Sequence, residues 1–451
     1  MKLPSGYEDF LLGQFPADLV NRLLDALDNS VSLRHAVFHR QTLESWNLSN
    51  PEFLPLHKND RLCNGAFFAR DFVFAHCPGY YSGLYYPQEA SASEVVSLLP
   101  ENLNLVLDLC AAPGGKSIQL SHKLSADGSL VSNEIVPKRA KILSQNLERA
   151  GILGRVVTSM SPTELSSIFG PIFDAVLVDA PCSGEGMFRK DPQTISEWSQ
   201  NQVEVCVARQ KEILQSAAKL VSEGGYLLYS TCTFNWYENE GQIKIFLESH
   251  PEFYAEKFLQ LWPFEVEGEG HFACLLRKSE NRQKPNLRPV KPISSPTIPE
   301  LPSEVQKYLE ARGSIHQGRG GIWFYPKRIQ PFLPFSQALS FCQEPGVLIV
   351  DSGSKPSVSH ALALVLPEGI WPDTLTLKDE QVFQFLRGET LATDLSHGCK
   401  QILWRNLPLG FGRQIPGRLQ NLVPKGLRTF VPRTNLPARP IVRGLSQTQS
   451  P

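Results

Sequence analysis

Two cysteines stand at positions where they could carry covalent chemistry. Cys182 lies in residues 178–186 (VDAPCSGEG), three residues after the carboxylate Asp179, and Cys232 lies in residues 229–234 (YSTCTF). Each segment follows a short apolar run that is typical of a buried β-strand. A single buried cysteine is usually an inert apolar residue. Two thiols at strand ends instead favour nucleophilic chemistry, because a thiolate is the strongest side-chain nucleophile near neutral pH.

A thiol nucleophile suits methylation of cytosine at carbon 5. That carbon attacks a methylsulfonium poorly until a thiolate adds to carbon 6 and moves electron density onto carbon 5. An acid that hydrogen bonds to ring nitrogen 3 assists the addition, and Asp179 is the candidate. An enzyme that methylates an exocyclic amine would have an aromatic residue after the acid and proline, where this chain has Cys182. Placement at strand ends leaves Cys182 and Cys232 interchangeable at this point.

A second pattern predicts where a methyl donor binds. Between residues 100 and 230, runs rich in Val, Leu and Ile alternate with amphipathic stretches, which indicates βαβ units and a parallel sheet covered on both faces. The first run ends near Asp108 and opens into a Gly-rich turn at residues 110–117 (CAAPGGKS), and the second run leads to Glu134. In such sheets ligands lie at the carboxyl ends of the strands, where an acidic residue accepts from the ribose hydroxyls.

The Gly-rich turn must be distinguished from a phosphate-binding loop, because it ends in Gly-Lys-Ser. A P-loop has a glycine five positions before the glycine that precedes its lysine, and Cys110 stands there instead. A Gly-Gly turn alone is more often structural than functional. Combined with the preceding VLDL run and with Glu134, it predicts an adenosine-type cofactor without a phosphate chain.

Composition limits the class of protein. The 451 residues are 42% hydrophobic and 20% charged, as in a folded protein of two or three domains. No apolar run is long enough to span a bilayer, and the first residues (MKLPSGYEDF) have no signal core, so we expect a cytoplasmic monomer without a membrane partner. The nine cysteines include no CxxC pair or Cys/His cluster, so we expect neither a disulfide framework nor a metal.

The chain divides into four parts on these patterns. We expect a lead-in domain at residues 1–80, with a helix over residues 16–27, and a catalytic domain at residues 81–278. Residues 279–302 contain six prolines and form the expected linker. Residues 303–451 have short apolar runs broken by Gly and Pro, which indicates a small α+β or β-barrel module.

The end of the chain is strongly basic. Residues 401–451 contain eight Arg or Lys and no Asp or Glu. One interpretation is a solvated tail. The other is a folded surface that contacts phosphates and stacked bases, because Trp404, Phe411 and Phe430 are interleaved with the cations.

Taken together, the motifs resemble the Nol/Nop/Sun family of RNA 5-methylcytosine methyltransferases, and within it the RsmF-type (YebU-like) small-subunit rRNA enzymes. The resemblance implies a Rossmann-like class I S-adenosylmethionine methyltransferase sheet, a small N-terminal α/β domain and a C-terminal PUA-like RNA-binding module. The matching segments are residues 85–92 (YYPQEASA), 107–117 (LDLCAAPGGKS), 133–143 (NEIVPKRAKIL), 173–192, STCTF followed by Asn239 and Glu240, 385–391 (FLRGETL) and 408–428 (PLGFGR…VPKGLR).

The resemblance also separates the two cysteines. It implies that Cys232, in Thr-Cys-Thr, attacks carbon 6, and that Cys182, in Pro-Cys, assists breakdown of the covalent adduct and product release. DNA cytosine methyltransferases use the Pro-Cys cysteine as nucleophile instead. It further implies that Asp179 lies between cofactor and base and that Lys116 reaches toward the base.

The same resemblance implies a binding site for S-adenosylmethionine. Glu134 would hold its ribose, and where many relatives have an aspartate near the adenine this chain reads TSMS, with Ser161 at that position. Residues 32–42 (SLRHAVFHRQT) also depart from the family's usual Arg-Val-Asn-Thr pattern. The residues implied to line the cofactor are Cys110, Ala111, Ala112, Pro113, Gly114, Gly115, Lys116, Glu134, Ser161 and Asp179.

The function expected from sequence is therefore methylation of cytidine C5 in rRNA, most simply 16S rRNA of the small subunit, with the base unstacked into the crevice. One alternative is the same reaction on tRNA. The other is a non-catalytic RNA-binding factor in ribosome assembly, which is disfavoured because the nucleophile and cofactor residues are present.

Overall fold

Four sheets and their covering helices make up the part of the chain that the structure describes. The computed structural model gives residues 3–28, 77–153, 155–280, 298–299, 301–327, 329, 332, 339–341, 345–353 and 357–429, with backbone alone for 35–39, 57–58 and 67–69. Most of the predicted linker, most of residues 32–42 and the basic end beyond residue 429, Phe430 included, lie outside these described residues.

The N-terminal part combines four helices with a small antiparallel sheet. The sheet has the order β2-β3-β1-β4, and β4 leads directly into the catalytic domain. The helix predicted over residues 16–27 is confirmed as α2. The elements are α1 (Tyr7–Leu12), α2 (Ala17–Asp28), β1 (His35–His39), β2 (His57–Lys58), β3 (Phe67–Ala69), α3 (Pro78–Tyr81), β4 (Tyr85–Gln88) and α4 (Ala90–Glu94).

A seven-stranded sheet forms the catalytic domain and confirms the predicted α/β class. Its order is β10-β11-β9-β8-β5-β6-β7, in which β5 to β9 are parallel and β11 runs antiparallel to both β9 and β10. The strands are β5 (Leu103–Asp108), β6 (Leu124–Asn133), β7 (Arg155–Thr158), β8 (Phe173–Asp179), β9 (Val221–Thr231), β10 (Phe253–Leu261) and β11 (His271–Lys278). Strands β6 and β9 begin earlier than their apolar runs, because mostly polar and glycine residues separate their first residues, Leu124 and Val221, from those runs.

Helices cover both faces of this sheet. Helix α6 illustrates the sequence logic: Pro137 occupies its first turn, where a missing N–H costs nothing, and Leu143 and Leu147 bury one face. The helices are α5 (Gly115–His122), α6 (Pro137–Arg149), α7 (Pro162–Phe169), α8 (Pro192–Glu197), α9 (Gln200–Ala218) and α10 (Glu240–Ser249). No helix among the described residues is both long and apolar enough to cross a membrane.

The C-terminal part contains two further sheets, of order β12-β13-β14-β15 and β16-β18-β19-β20-β17. Mixed strands and helices agree with the predicted α+β module, and the two sheets share an apolar core that contains both Phe324 and Phe411. The elements are α11 (Ser303–Glu310), β12 (Gly313–Gly318), β13 (Gly321–Pro326), β14 (Val347–Asp351), β15 (Ser357–Val358), α12 (His360–Val365), β16 (Thr374–Thr376), α13 (Asp379–Leu386), β17 (Leu391–Ala392), β18 (Gly398–Trp404), β19 (Leu407–Ile415) and β20 (Arg418–Asn421).

Both C-terminal sheets pack against the catalytic domain. Trp323 and Phe332 belong to the same apolar core as Phe173 of β8, and the rings of Phe332 and Phe173 stack with centroids 6.3 Å apart. The last sheet meets α3, where the hydroxyl of Tyr81 donates to Oγ1 of Thr429 at 2.6 Å. Shared cores of this kind fix the C-terminal sheets relative to the site.

Candidate functional site

The carboxyl ends of the parallel strands meet at one edge of the sheet. Asp108, Asn133, Asp179 and Thr231 are the last residues of β5, β6, β8 and β9. Strand β5 pairs with both β6 and β8, so the chain reverses its strand order at β5. Ligands of open α/β sheets bind at such a switch point.

The two cysteines come together at this edge. The loop after β8 carries Cys182, the loop after β9 carries Cys232, and their Sγ atoms are 3.4 Å apart. The hydrogen bond between the thiols and the burial of Cys182 both raise the pKa of Cys182 above its ordinary value. The two thiols are thus close enough to share one hydrogen bond, in which either sulfur can be the donor. The predicted convergence of the two side chains is present in the structure.

Asp179 lies beside the cysteine pair in a compact polar cluster. Lys116 Nζ donates to its Oδ2 at 2.9 Å, and Ser230 Oγ donates to its Oδ1 at 2.7 Å. His271, buried at the start of β11, places Nε2 3.6 Å from the same Oδ1. Burial would raise the pKa of Asp179, but Lys116 and His271 outweigh it and hold this pKa below its ordinary value.

The low pKa of Asp179 bears on the role expected of it in the reaction, which stays a prediction. Asp179 is a carboxylate at neutral pH, so it is poorly suited to give a proton to ring nitrogen 3 of a cytosine. The ammonium of Lys116, 2.9 Å from it, is the charged donor within the cluster. Asp179 is instead placed to accept a hydrogen bond.

Asp108, behind the cluster, is a buried acid of a different kind. Its Oδ2 accepts from Ser117 Oγ at 2.6 Å, whereas its buried Oδ1 has no hydrogen-bond partner in the structure. Burial is the main cause that raises the pKa of Asp108 to about 7, and the hydrogen bond from Ser117 only partly offsets it. Asp108 thus holds a proton far more readily than an exposed aspartate.

Strand β6 fixes the Gly-rich turn. The backbone N–H of Ala111 donates to the carbonyl of Asn133 at 2.8 Å, and Asn133 Nδ2 donates to the carbonyls of Leu109 and Met160 at 3.2 and 2.9 Å. Gly114 has φ +116°, and a Cβ there would meet Leu143 at 3.0 Å. Only glycine adopts this backbone without strain, which explains one glycine of the motif.

A cavity of about 800 Å³ opens in front of the turn and the cysteines. Glu134, almost fully buried, points an oxygen to Arg139 at 3.1 Å. Ile135 and Val136 follow it and are 58% and 43% exposed, an unusual exposure for apolar residues. The residues that line the cavity include Cys110, Ala112, Glu134, Ile135, Val136, Ser161, Asp179, Cys182 and Cys232.

This wall fits an adenosine-type methyl donor. A carboxylate has four lone-pair directions, so Glu134 can still accept from ribose hydroxyls while it is bonded to Arg139. Exposed Ile135 and Val136 offer an apolar surface for a purine ring. Cys110 and Ala112 reach the cavity, whereas Ala111 is buried with its N–H bonded to Asn133.

Ser161 lies at the rim of the cavity and begins α7. Its Oγ accepts from the N–H of Glu164 at 3.2 Å and donates to Glu164 Oε2 at 2.6 Å, and its own N–H donates to that oxygen at 2.8 Å. This capping box uses the donors of Ser161. The adenine contact expected at Ser161 stays a prediction.

Sequence reasoning missed the polar network behind the cysteines. Glu185 and Glu238 are fully buried and accept hydrogen bonds from both cysteine loops. Their signal in the sequence is an acid three residues after Cys182 and another six residues after Cys232. His271 was also missed, because it lies far along the chain from Asp179. Among the described residues there is no group of three or more His, Cys, Asp or Glu that could hold a metal.

Comparison with known proteins agrees with this geometry. Residues 95–276 match the family model for 16S rRNA methyltransferase RsmB/F, and residues 372–429 match that for the methyltransferase RsmF PUA domain. The chain is 28% identical over 388 residues to the ribosomal RNA small subunit methyltransferase F of Erwinia tasmaniensis, which covers 77% of this chain and 79% of that protein. For the protein of the same description from Psychromonas ingrahamii the identity is 29% over 390 residues, with 77% and 80% covered.

A solved structure shares the fold. The crystal structure of NSun6 from Pyrococcus horikoshii with SFG superposes with a TM-score of 0.53 at 18% identity, and covers 62% of this chain and 99% of that chain. At this identity the likeness concerns the fold alone. The match to the PUA domain model spans β16 to β20 and thus assigns the last sheet.

Proposed function

We propose that this chain, which matches the family models for 16S rRNA methyltransferase RsmB/F and for the methyltransferase RsmF PUA domain, methylates carbon 5 of a cytidine in small-subunit rRNA through a covalent adduct on Cys232. The observation that carries the proposal is the pair of thiols 3.4 Å apart, on a cavity that also contains Asp179 and Glu134. Methylation of an amine or a hydroxyl requires no thiol, whereas carbon 5 of cytosine requires a nucleophile at carbon 6.

In this reaction Cys232 acts as the nucleophile. Its thiolate forms a bond to carbon 6, and the electrons of the 5,6 double bond move to carbon 5. S-Adenosylmethionine, when bound, supplies the methyl group that carbon 5 takes. Loss of the carbon 5 proton to a base then restores the double bond and expels the Cys232 thiolate, so the enzyme is regenerated.

Cys182 serves the second half of the reaction. It lies 3.4 Å from Cys232 Sγ, and its raised pKa keeps it a thiol that hydrogen bonds to the departing sulfur. That contact favours cleavage of the bond between sulfur and carbon 6. The division of labour in which Cys232 attacks and Cys182 assists release is the one that the Thr-Cys-Thr and Pro-Cys motifs imply, and the short distance between the two thiols supports it.

Asp179 and Lys116 orient the base. The carboxylate of Asp179 accepts from the exocyclic amine of cytosine, which uracil lacks, and Lys116 donates toward the ring as negative charge develops on it. Ser230 and His271 hold Asp179 from the side away from Lys116, since both face its other oxygen.

The methyl donor occupies the part of the cavity next to the Gly-rich turn. Glu134 holds the ribose of the methyl donor, and Ile135 and Val136 support its adenine. Cys110 and Ala112 line the part of the cavity between the methyl donor and the cysteines. The remaining residues of the turn, Ala111, Pro113, Gly114 and Gly115, set the backbone that makes this approach possible.

The names of the relatives support rRNA over tRNA as the substrate. A non-catalytic assembly factor would not need a paired thiol or a carboxylate buried at 3% exposure beside a cofactor-sized cavity, and Glu134 is such a carboxylate. The PUA domain and its basic strands support RNA as the partner.

Release of tritium from carbon 5 tests the reaction directly. Small-subunit RNA that carries cytidine tritiated at carbon 5 should release tritium to water only with S-adenosylmethionine present. Cys232→Ala should lower the rate on the order of 10³-fold or more, because the nucleophile is lost. Cys399→Ala, a half-buried thiol in β18, is the matched control and should behave as the wild type. Methylation without tritium release would refute C5 chemistry.

A further inference from the structure

A buried pair of carboxylates lies behind the two cysteine loops. Glu185 follows Cys182, Glu238 follows Cys232, and both are fully buried. Asn235 bridges them, because its Nδ2 donates to Glu185 Oε1 at 2.9 Å and to Glu238 Oε1 at 2.8 Å. No lysine or arginine forms an ion pair with either carboxylate within the described part of the chain.

Glu238 holds the backbone on both sides of Cys182. Its Oε2 accepts from the N–H of Ser183 at 3.0 Å and from Gln210 Nε2 at 2.7 Å. The same Gln210 Nε2 donates to the carbonyl of Pro181 at 3.1 Å. Cys182 therefore lies between two peptide groups that are tied, directly or through Gln210, to one oxygen of Glu238.

Cys232 has a different support. It directly follows β9, which pairs with β8 and β11, and its carbonyl accepts from the N–H of Gly186 at 2.8 Å. The loop beyond it is held by Glu185, whose Oε2 accepts from the N–H groups of Phe234 and Asn235 at 2.8 and 3.1 Å. None of these contacts uses the side chain of Glu238, which meets the Cys232 loop through the hydrogen bond from Asn235 Nδ2.

The electrostatics of Glu238 favour a role in holding the Cys182 loop and not a role in proton transfer. Burial raises the pKa of Glu238 and neighbouring Glu185 raises it further, while hydrogen bonds from Ser183, Asn235 and Gln210 lower it. The groups that contact the oxygens of Glu238 are neutral amide donors, which hold the carboxyl group in place and accept no proton from it. Two apolar residues could join the loops equally well, but they would not hold Pro181 and Ser183 at set hydrogen-bond distances.

We infer that Glu238 is a positioning residue for product release, which holds the Cys182 thiol against Cys232 through Ser183 and Gln210. The inference rests on the proposed role of Cys182 in breakdown of the covalent adduct. Loss of the Glu238 carboxylate frees the Cys182 loop but leaves Cys232 on its strand. Adduct formation is therefore spared and adduct breakdown is slowed.

The test compares Glu238→Ala with Cys182→Ala and the wild type in the full chain. Each is mixed with small-subunit RNA and S-adenosylmethionine, and the RNA-linked protein is followed with time on denaturing gels. Glu238→Ala should form adduct within about threefold of the wild-type rate and break it down about 10 to 100 times more slowly, the effect expected of a misplaced group. Cys182→Ala should show the same defect or a larger one.

Two further variants separate positioning from general damage. Glu238→Gln keeps an oxygen for Ser183 and Gln210 and should recover most of the breakdown rate. Glu240→Ala, two residues further on at the start of α10, is the matched control and should match the wild type. If Glu238→Ala does not fold, Gln210→Ala serves in its place, because it removes the tie to Pro181.

The failures of the two ideas are distinguishable. If Cys182→Ala accumulates adduct and a folded Glu238→Ala turns over like the wild type, the inference about Glu238 is wrong and the proposed function stands. If Cys182→Ala accumulates no adduct, the proposed role of Cys182 is wrong and the inference falls with it. Loss of adduct formation in a folded Glu238→Ala would also overturn the inference, since Cys232 would then depend on Glu238.

Discussion

At the scale of residues, the surroundings of three acidic side chains shift their pKa values in different ways. Lys116 and His271 lower the pKa of Asp179 against the effect of burial, burial outweighs Ser117 and Lys116 and raises the pKa of Asp108 to about 7, and burial raises the pKa of Glu238 among neutral donors. Carboxyl groups in one protein thus suit different tasks because burial and neighbouring charge act on each separately.

Asp108 makes the stability of the protein depend on pH. Its pKa is about 7 in the folded state, against about 3.9 for an unfolded aspartate, so the folded state binds more protons between these values. The contribution of Asp108 to the free energy of unfolding must therefore fall as pH rises from about 4 to about 7. At roughly 1.4 kcal/mol per pKa unit, the wild type should lose up to about 4 kcal/mol relative to Asp108→Asn over this range.

Urea unfolding of both proteins at several pH values measures this difference. The free energy of unfolding of Asp108→Asn minus that of the wild type should increase with pH and level off above about pH 7. A difference that is constant with pH would show that the pKa of Asp108 is the same in the folded and unfolded states.

At the scale of elements, strand ends and helix starts place the chemistry. The alternation of apolar runs and amphipathic stretches was enough to predict the parallel sheet and the edge at which Cys182 and Cys232 meet, because both are local patterns. The contact of His271 with Asp179 could not be predicted in this way. It depends on the antiparallel pairing of β11 with β9, which no local pattern specifies.

Ser161 shows that a local contact can use a side chain to which a motif assigns another role. The sequence suggested a contact with the cofactor, but a local competitor, Glu164 three residues on, uses the hydroxyl in a capping box. Ser161→Ala should therefore lower the free energy of unfolding by about 1 kcal/mol through loss of the helix cap. Affinity for S-adenosylmethionine, measured by calorimetry, should change by less than about twofold, equivalent to well under 1 kcal/mol.

The comparison variant is Ser161→Asp, which retains an oxygen that caps the helix. It should keep wild-type stability. A fall in cofactor affinity of about tenfold in Ser161→Ala, without loss of stability, would instead establish that the hydroxyl contacts the cofactor.

At the scale of the whole molecule, shared cores fix the RNA-binding parts around the site. Arg413 of β19 pairs with Gln420 in register, and Arg418 of β20 pairs with Ile415, so both arginines project from one face of this hairpin. The PUA domain that carries them packs on α3 through Tyr81 and Thr429. The basic composition left open whether this end of the chain is a solvated tail or an RNA surface, whereas the fold shows that the described part of it shares an apolar core with Leu84 and Tyr85.

The N-terminal helix α1 packs against residues that follow Cys182 in the chain. Tyr7 of α1 packs edge-on against Phe188 and Trp198, with ring centroids 5.3 and 5.0 Å apart. Phe188 lies six residues after Cys182, so α1 supports the loop that carries this cysteine. The sequence predicted the helix at residues 16–27 but not this contact, which joins segments about 180 residues apart.

The central claim is that Cys232 forms the bond to RNA and Cys182 helps to break it. Its most direct test is a denaturing gel of the protein mixed with labelled small-subunit RNA and S-adenosylmethionine, followed by peptide mapping of the linked residue. Cys182→Ala should accumulate an RNA-linked band attached at Cys232, and Cys232→Ala and the double variant should give none. A linked band in Cys232→Ala, attached at Cys182, would contradict the claim.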